Sequence, residues 1–220
     1  MRFLKRMPYV TYLLLFIIIA VYIAMTFSGG TDNSNVLLEY GAIFNPLVRA
    51  GEWWRLITAI FLHMNFTHIL FNGLVLYFMG IQIEKLFGHL RFAIIFFGSG
   101  IVGNLFGFAF TDGISAGAST AIFGLFGAFM MLGESFNGNQ EIRRLSKSFI
   151  IFIVMNLLLD LITPNVDIAG HIGGLISGFL IAYIVSVPHY SLSRKKRMIA
   201  LIVMIIVILI LFYVGMNGNY

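Results

Sequence analysis

Two residues able to do nucleophilic chemistry stand just inside apolar segments: Ser119 in "DGISAGASTAIFGLFG" and His171 in "PNVDIAGHIGGLISGF". A serine hydroxyl becomes a nucleophile when an adjacent imidazole takes its proton, so the pair matters only if the fold brings the two within hydrogen-bond reach. A third stretch, "HMNFTHILFN", supplies His63, His68 and Asn72. His68 and Asn72 are four apart and share a helical face. Donors placed there could stabilise the oxyanion that forms when a serine attacks a carbonyl. A three-histidine metal site on His63, His68 and His171 is the rival reading. His63 and His68 are five apart, poorly aligned on a helix, and no carboxylate or HExxH pattern adjoins them. His89 and His189 fall in connections and read as solvated, and Asp160, near the end of an apolar run, has no obvious partner.

The elements that must position these residues follow from composition. Of 220 residues, 60% are hydrophobic and 10% charged, against roughly 25% charged in soluble domains. That polarity cannot cover a soluble core of this size, so the chain is an all-α polytopic membrane protein. In hydrocarbon every backbone group needs a partner within its own segment, which makes such runs helical. The net charge of +5 does not point to nucleic acid. Its basic residues fall in short clusters between apolar runs, as topology signals do, not on one solvated face. No cysteine is present, which excludes disulfides and thiolate-held metals. No cofactor is implied.

Seven apolar runs lie near 9–27, 55–82, 92–110, 115–134, 148–163, 168–187 and 198–214. The first resembles a signal peptide but exceeds the h-region length of about 7–15 residues, and is expected to be a retained helix. The stretch from Trp53 to Ile83 is about 31 residues, ~46 Å as one helix, longer than the ~30 Å hydrocarbon layer. Its first part, "EWWRLITAIFLHMNF", is therefore expected along the interface, with the span proper running from near Asn65 to about Lys85. In a seven-span arrangement twelve of the fourteen Lys and Arg residues share one side, leaving only Arg49 and Arg55 on the other. The positive-inside rule then puts the amino terminus in the cytoplasm and the carboxyl terminus outside. Two domains are expected: a six-span core over 1–190, with an outer loop and interfacial segment at 28–64, and a basic linker plus seventh span over 191–220.

On these boundaries Ser119 lies about four positions into the fourth span, ~6 Å from its outer end, and His171 about three into the sixth, ~5 Å from its own. Equal depth is what a nucleophile and its base require. The bland alternative is helix packing. Ala116, Thr120, Gly124 and Ala128 recur every four positions, as do Gly170, Gly174 and Gly178. This is the small-xxx-small spacing of tight helix pairs. The two readings are compatible, because close backbones would shorten the Ser–His distance.

"HMNFTHILFN", "GAST" and "AGHIGGLISG", with "EWWR" in the preceding loop, together resemble the signature set of rhomboid intramembrane serine proteases, in the family's order. The resemblance implies a six-helix core, with the seventh span an addition. It implies Ser119 as nucleophile and His171 as general base of a dyad without an acidic third member. His68, Asn72 and the backbone N–H of Ser119 would form the oxyanion hole, and Gly117 would leave clearance for the substrate backbone. His63 would play a supporting part by hydrogen-bonding within the loop and second span, and Glu84 a structural one. Two positions depart from the pattern: Thr120 stands where glycine is frequent, and Phe123 where tyrosine often stacks on the histidine. A phenylalanine keeps the ring, so stacking is expected to survive. The partners implied are transmembrane protein substrates and the lipid bilayer. The alternatives are a non-catalytic relative that binds or escorts membrane segments, and a transporter, which would show inverted repeats and paired intramembrane charges.

Overall fold

The computed structural model describes residues 7–136, 140–162, 166–188 and 192–218. The elements are α1 (Tyr9–Phe27), α2 (Ser34–Tyr40), β1 (Ile43–Phe44), α3 (Asn45–Arg49), α4 (Arg55–Thr58), a 3₁₀ turn (Ala59–Phe61), α5 (Phe66–Phe87) and α6 (His89–Phe110). There follow β2 (Ile114–Ser115), α7 (Ser119–Ser135), α8 (Gln140–Ile162), α9 (Ile168–Val185) and α10 (Arg194–Asn217). Helices α1, α5, α6, α9 and α10 are long and apolar enough to cross a membrane. Helix α7 and the Phe149–Leu158 stretch of α8 are shorter apolar helices. Exposed Phe16, Phe71, Phe78, Leu209 and Ile210 on the outer helices would find lipid, not water, so the chain is a polytopic all-α membrane protein.

The long helices alternate in direction. At one end of the bundle Glu84 of α5 accepts hydrogen bonds from Val10 N, Thr11 N and Thr11 Oγ1, at 2.9, 2.8 and 2.6 Å. A carboxylate at a helix N-terminus satisfies donors that have no partner in their own helix. This meets the structural part foreseen for Glu84. His89, expected to be solvated, has a side chain 42% exposed and is also hydrogen-bonded through Nδ1 to Glu84 Oε1 at 2.5 Å. His189 lies outside the described residues.

At the other end the connection 28–65 folds over the bundle, with Gly117 N donating to Ala59 O and Thr31 Oγ1 to Met64 O. Within it, "EWWRLITAIF" forms α4 and a 3₁₀ turn, and Arg55 is buried. Its Nε donates to Glu52 Oε2 at 2.7 Å, and its Nη1 to the carbonyls of Leu38 and Ala42 at 2.8 and 2.9 Å. Asn65 then caps α5, its Oδ1 accepting from His68 N at 2.8 Å, so the span starts where the length argument placed it. β1 pairs antiparallel with β2, stitching this connection to residues 111–118. Asn45 Nδ2 adds a bond to Thr111 O at 2.9 Å.

Three other boundaries shift. Helix α7 begins at Ser119, not near 115, because 114–115 belong to the strand pair and Gly117 at φ +147° is outside helical conformation. Ala116 thus precedes the helix and drops out of the packing stripe. Helix α8 starts at Gln140, not near 148, so the polar "QEIRRLSKS" is helical. Helix α10 starts at Arg194, placing the basic cluster in a first helical turn instead of a linker. Helix α10 docks at its far end, where Arg49 Nε donates to Gly215 O at 2.8 Å and Trp53 stacks on Phe212 at 5.2 Å.

Helices α7 and α9 meet through their glycines. A methyl group on Gly174 would occupy the space of the Thr120 carbonyl, one on Gly178 that of the Gly124 backbone, and one on Gly127 that of the Leu175 carbonyl. Small residues let the two backbones touch where side chains normally intervene. Helix α6 closes this group: Gly103 sits 2.9 Å, as a notional methyl, from Gly170 O. Asn104 Nδ2 donates to Leu56 O at 2.8 Å, and Thr120 Oγ1 donates to Asn104 Oδ1 at 3.0 Å. Thr120 therefore joins α7 to α6.

Candidate active site

Helix α7 opens on Ser119 because Gly117 prevents an earlier start, so the serine side chain stands at the rim of the bundle and not a turn below it. Its N–H, at the first position of the helix, has no partner within the helix. Helix α9 opens with Asp167, whose Oδ1 accepts from Gly170 N at 2.8 Å. The same carboxylate accepts from Thr111 Oγ1 at 2.8 Å and Ser115 Oγ at 3.3 Å. The loop leading into Ser119 is thereby tied to the turn leading into His171.

His171 follows as the fourth residue of α9, buried, with Nε2 at 2.7 Å from Ser119 Oγ. Phe123, one turn beyond Ser119, lies flat on the imidazole, with centroids 4.4 Å apart and planes at 16°. The stacking expected of a phenylalanine at this position is present. The other ring nitrogen is also occupied: His171 Nδ1 lies 2.7 Å from Asp160 Oδ2. Asp160 was expected to lack a partner and the dyad to lack an acidic neighbour, and both expectations are corrected here. Helix α8 runs back toward this rim and delivers its carboxylate two residues before its end.

His68 projects from the third position of α5. A methyl on Gly117 would lie 2.8 Å from His68 Cε1 and 3.5 Å from Ser119 Oγ, which places the His68 ring across the glycine from the serine. Any side chain at 117 would strike that ring, and the φ of +147° disfavours one in any case. Gly117 N donates to Ala59 O at 2.9 Å, fixing the loop. Asn72 is buried one turn further along α5. Ser119, His171, His68, Phe123 and Gly117 thus gather at one rim, with Asn72 just below.

His63 behaves differently from expectation. Its ring is fully buried, and among the described residues neither nitrogen has a hydrogen-bond partner. It meets His68 edge to ring at 5.0 Å. Burial, then the neighbouring His68 ring, lowers its pKa from 6.5 to about 3, against a weaker upward pull from the Phe61 backbone. Phe61 itself lies outside hydrogen-bond geometry. Both ring nitrogens of His171 are turned to Ser119 and Asp160. Among the described residues no three potential ligands cluster.

Sequence reasoning missed Asp167 and Asn104, and noticed Asp160 without finding its partner. Asp160 carried a signal, as an ionisable residue in an apolar run, but the sequence cannot say which helix its carboxylate meets.

Comparison with known proteins adds to this geometry. A family profile described as the rhomboid domain matches residues 50–188. The chain is 36% identical over 211 residues to the rhomboid protease GluP of Bacillus subtilis, which covers 96% of this chain and 41% of that protein. It is 37% identical over 143 residues to the putative rhomboid protease YdcA of the same organism, covering 64% of this chain and 71% of that protein. It is 36% identical over 153 residues to rhomboid-like protease 1 of Toxoplasma gondii, covering 67% of this chain and 52% of that protein. The chain thus spans about two fifths to seven tenths of the length of these relatives.

Proposed function

This chain belongs to the rhomboid family, and from that premise we propose that it is an intramembrane serine endopeptidase working through Ser119 and His171. The observation that carries the proposal is the 2.7 Å contact between Ser119 Oγ and His171 Nε2, held between two helices in backbone contact. As Oγ attacks a scissile carbonyl, Nε2 takes its proton and later donates it to the departing amine. A water then cleaves the acyl-enzyme. The negative oxygen of the tetrahedral intermediate is met by the Ser119 N–H, the His68 ring and the Asn72 amide. Gly117 leaves the approach to Ser119 clear for a substrate backbone.

Charge distribution supports the orientation: with the basic clusters at 85–91 and 194–197 in the cytoplasm, the catalytic rim faces outward. The N-terminus would be cytoplasmic and the C-terminus extracytoplasmic. A helical substrate hides its carbonyls in hydrogen bonds and must unwind before attack. The substrates are single-span membrane proteins with glycine or proline near the outer end of the span. Family likeness suggests small residues at the cleaved bond.

The test is cleavage of a labelled transmembrane substrate by the purified protein, by Ser119→Ala and by His171→Ala, with and without chelator. Cleavage lost by at least about 10³-fold in each variant and indifferent to chelation is expected. Cleavage surviving in Ser119→Ala overturns the reading, and an intact protein that binds the substrate without cutting it points to the escort role.

A further inference from the structure

We propose that Asp160 is the positioning residue of the general base, turning the serine–histidine pair into a serine–histidine–aspartate array spread over three helices. The inference rests on the protease reading above and adds a third member to it.

The two hydrogen bonds of His171 run through opposite nitrogens, Nε2 to Ser119 Oγ and Nδ1 to Asp160 Oδ2, each at 2.7 Å. A neutral imidazole carries one N–H and one lone pair, and either nitrogen can hold the hydrogen. A carboxylate can only accept. With Asp160 ionised, the hydrogen stays on Nδ1 and the lone pair on Nε2 faces the serine hydroxyl, which is the only tautomer able to take its proton. When Nε2 takes that proton, both nitrogens carry hydrogen, and the positive ring finds a negative partner already in place. Asp160 holds no proton at any step: the one leaving Ser119 Oγ passes to Nε2 and from there to the departing amine.

Burial makes the contact count. The Asp160 and His171 side chains are 15% and 10% exposed, so solvent screens the pair less than it would a surface ion pair. The position of Asp160 is otherwise unfavourable. It lies in the last turn of α8, where the helix dipole opposes a negative charge, and follows the apolar run Phe149–Leu158, where a carboxylate is costly. Helix α8 does not need it as an anchor: Phe149 packs on Phe129 at 4.4 Å and Ile153 is buried. Among the described residues Nδ1 has no other acceptor, and Asp167 is committed to Gly170, Thr111 and Ser115.

The test compares the intact protein with Asp160→Asn and Asp160→Glu in three readouts: substrate kinetics, rate of covalent labelling by a fluorophosphonate, and thermal midpoint. An asparagine of the same size removes the charge and lets either tautomer form. It is expected to lower kcat at least about 100-fold and to slow labelling in parallel. KM should stay within about twofold and the midpoint nearly unchanged, since positioning acts on the chemical step. Asp160→Glu keeps the acceptor and should recover part of the rate. Wild-type kcat in Asp160→Asn overturns the inference. So does a parallel loss of kcat, KM and midpoint that Glu does not relieve, which marks a structural tie between α8 and α9. Cleavage surviving in Ser119→Ala instead overturns the protease reading beneath it. An intact protein that neither cleaves nor labels removes both.

Discussion

Helices α7 and α8 reach the same rim by different means. Helix α7 lies against α9 backbone to backbone, with Gly124 and Gly127 on one side and Gly174 and Gly178 on the other. Helix α8 shows Ile150, Ile151, Val154, Met155, Leu158 and Leu161 outward and rests on α7 through bulky side chains such as Phe149. The difference separates two tasks. Ser119 and His171, the two groups proposed to react, are carried by helices that cannot slide without a backbone clash. The carboxylate is carried by a helix held through side chains, which can yield by changing rotamers.

The largest effect should come from breaking the tight pair. Gly178→Val drives a branched side chain into the Gly124 backbone. It should destabilise by up to about 3 kcal/mol, the upper end of ordinary overpacking, and abolish cleavage as Ser119 and His171 separate. Gly73→Ala on α5, whose nearest neighbour would be Leu15 Cδ2 at 3.9 Å, is the contrast. It should be neutral or stabilising by up to about 1 kcal/mol through helix propensity. Thermal midpoints and cleavage rates of the two variants check both. Equal effects would mean that glycine as such, not backbone contact, sets the tolerance.

Next in size is Phe123→Ala, which removes the ring stacked on His171. An aromatic stack is worth about 0.5–1.5 kcal/mol beyond area, so kcat should fall roughly 2–13-fold with Ser119 labelling still detectable. An unchanged kcat would show that the helix pair alone orients the imidazole.

The smallest expected effect on cleavage lies in His63, within the connection and not the helix pair, where the readout is stability against pH. Unfolded, its imidazole takes a proton near 6.5; folded, it stays neutral until about 3. Between those values the unfolded chain binds the extra proton. The stability contribution is therefore complete above pH 6.5 and lost as the pH falls toward 3. His63→Phe should flatten the fall of the thermal midpoint between pH 6.5 and 4.5 relative to the wild type. Parallel curves would place the acid sensitivity elsewhere.

Much of the helix plan was legible because hydrocarbon permits little but helices: α1 coincides with its apolar run, and the 31-residue stretch had to break near Asn65. Ser119, His171 and the glycine stripes were legible because each is anomalous in its segment. Strand pairing is what hid the start of α7: residues 43–44 and 114–115 meet across 70 positions, and nothing local at either announces it. Arg55 was visible as part of a motif, yet its carbonyl partners at Leu38 and Ala42 belong to a loop of no periodicity. Asp160 was noticed and left without a partner, since a helical wheel gives direction around α8 but not which neighbour it faces. His63 was assigned hydrogen bonds by likeness, and its burial beside another imidazole depends on how the connection folds over α5.

The most direct measurement of the central claim is peptide mapping after exposure of the intact protein to a fluorophosphonate, with His171→Ala alongside. An adduct on Ser119 and no other serine, absent or strongly slowed in the variant, is the result that a hydroxyl activated by the His171 imidazole predicts. Unlabelled Ser119, or labelling as fast without the histidine as with it, would contradict it.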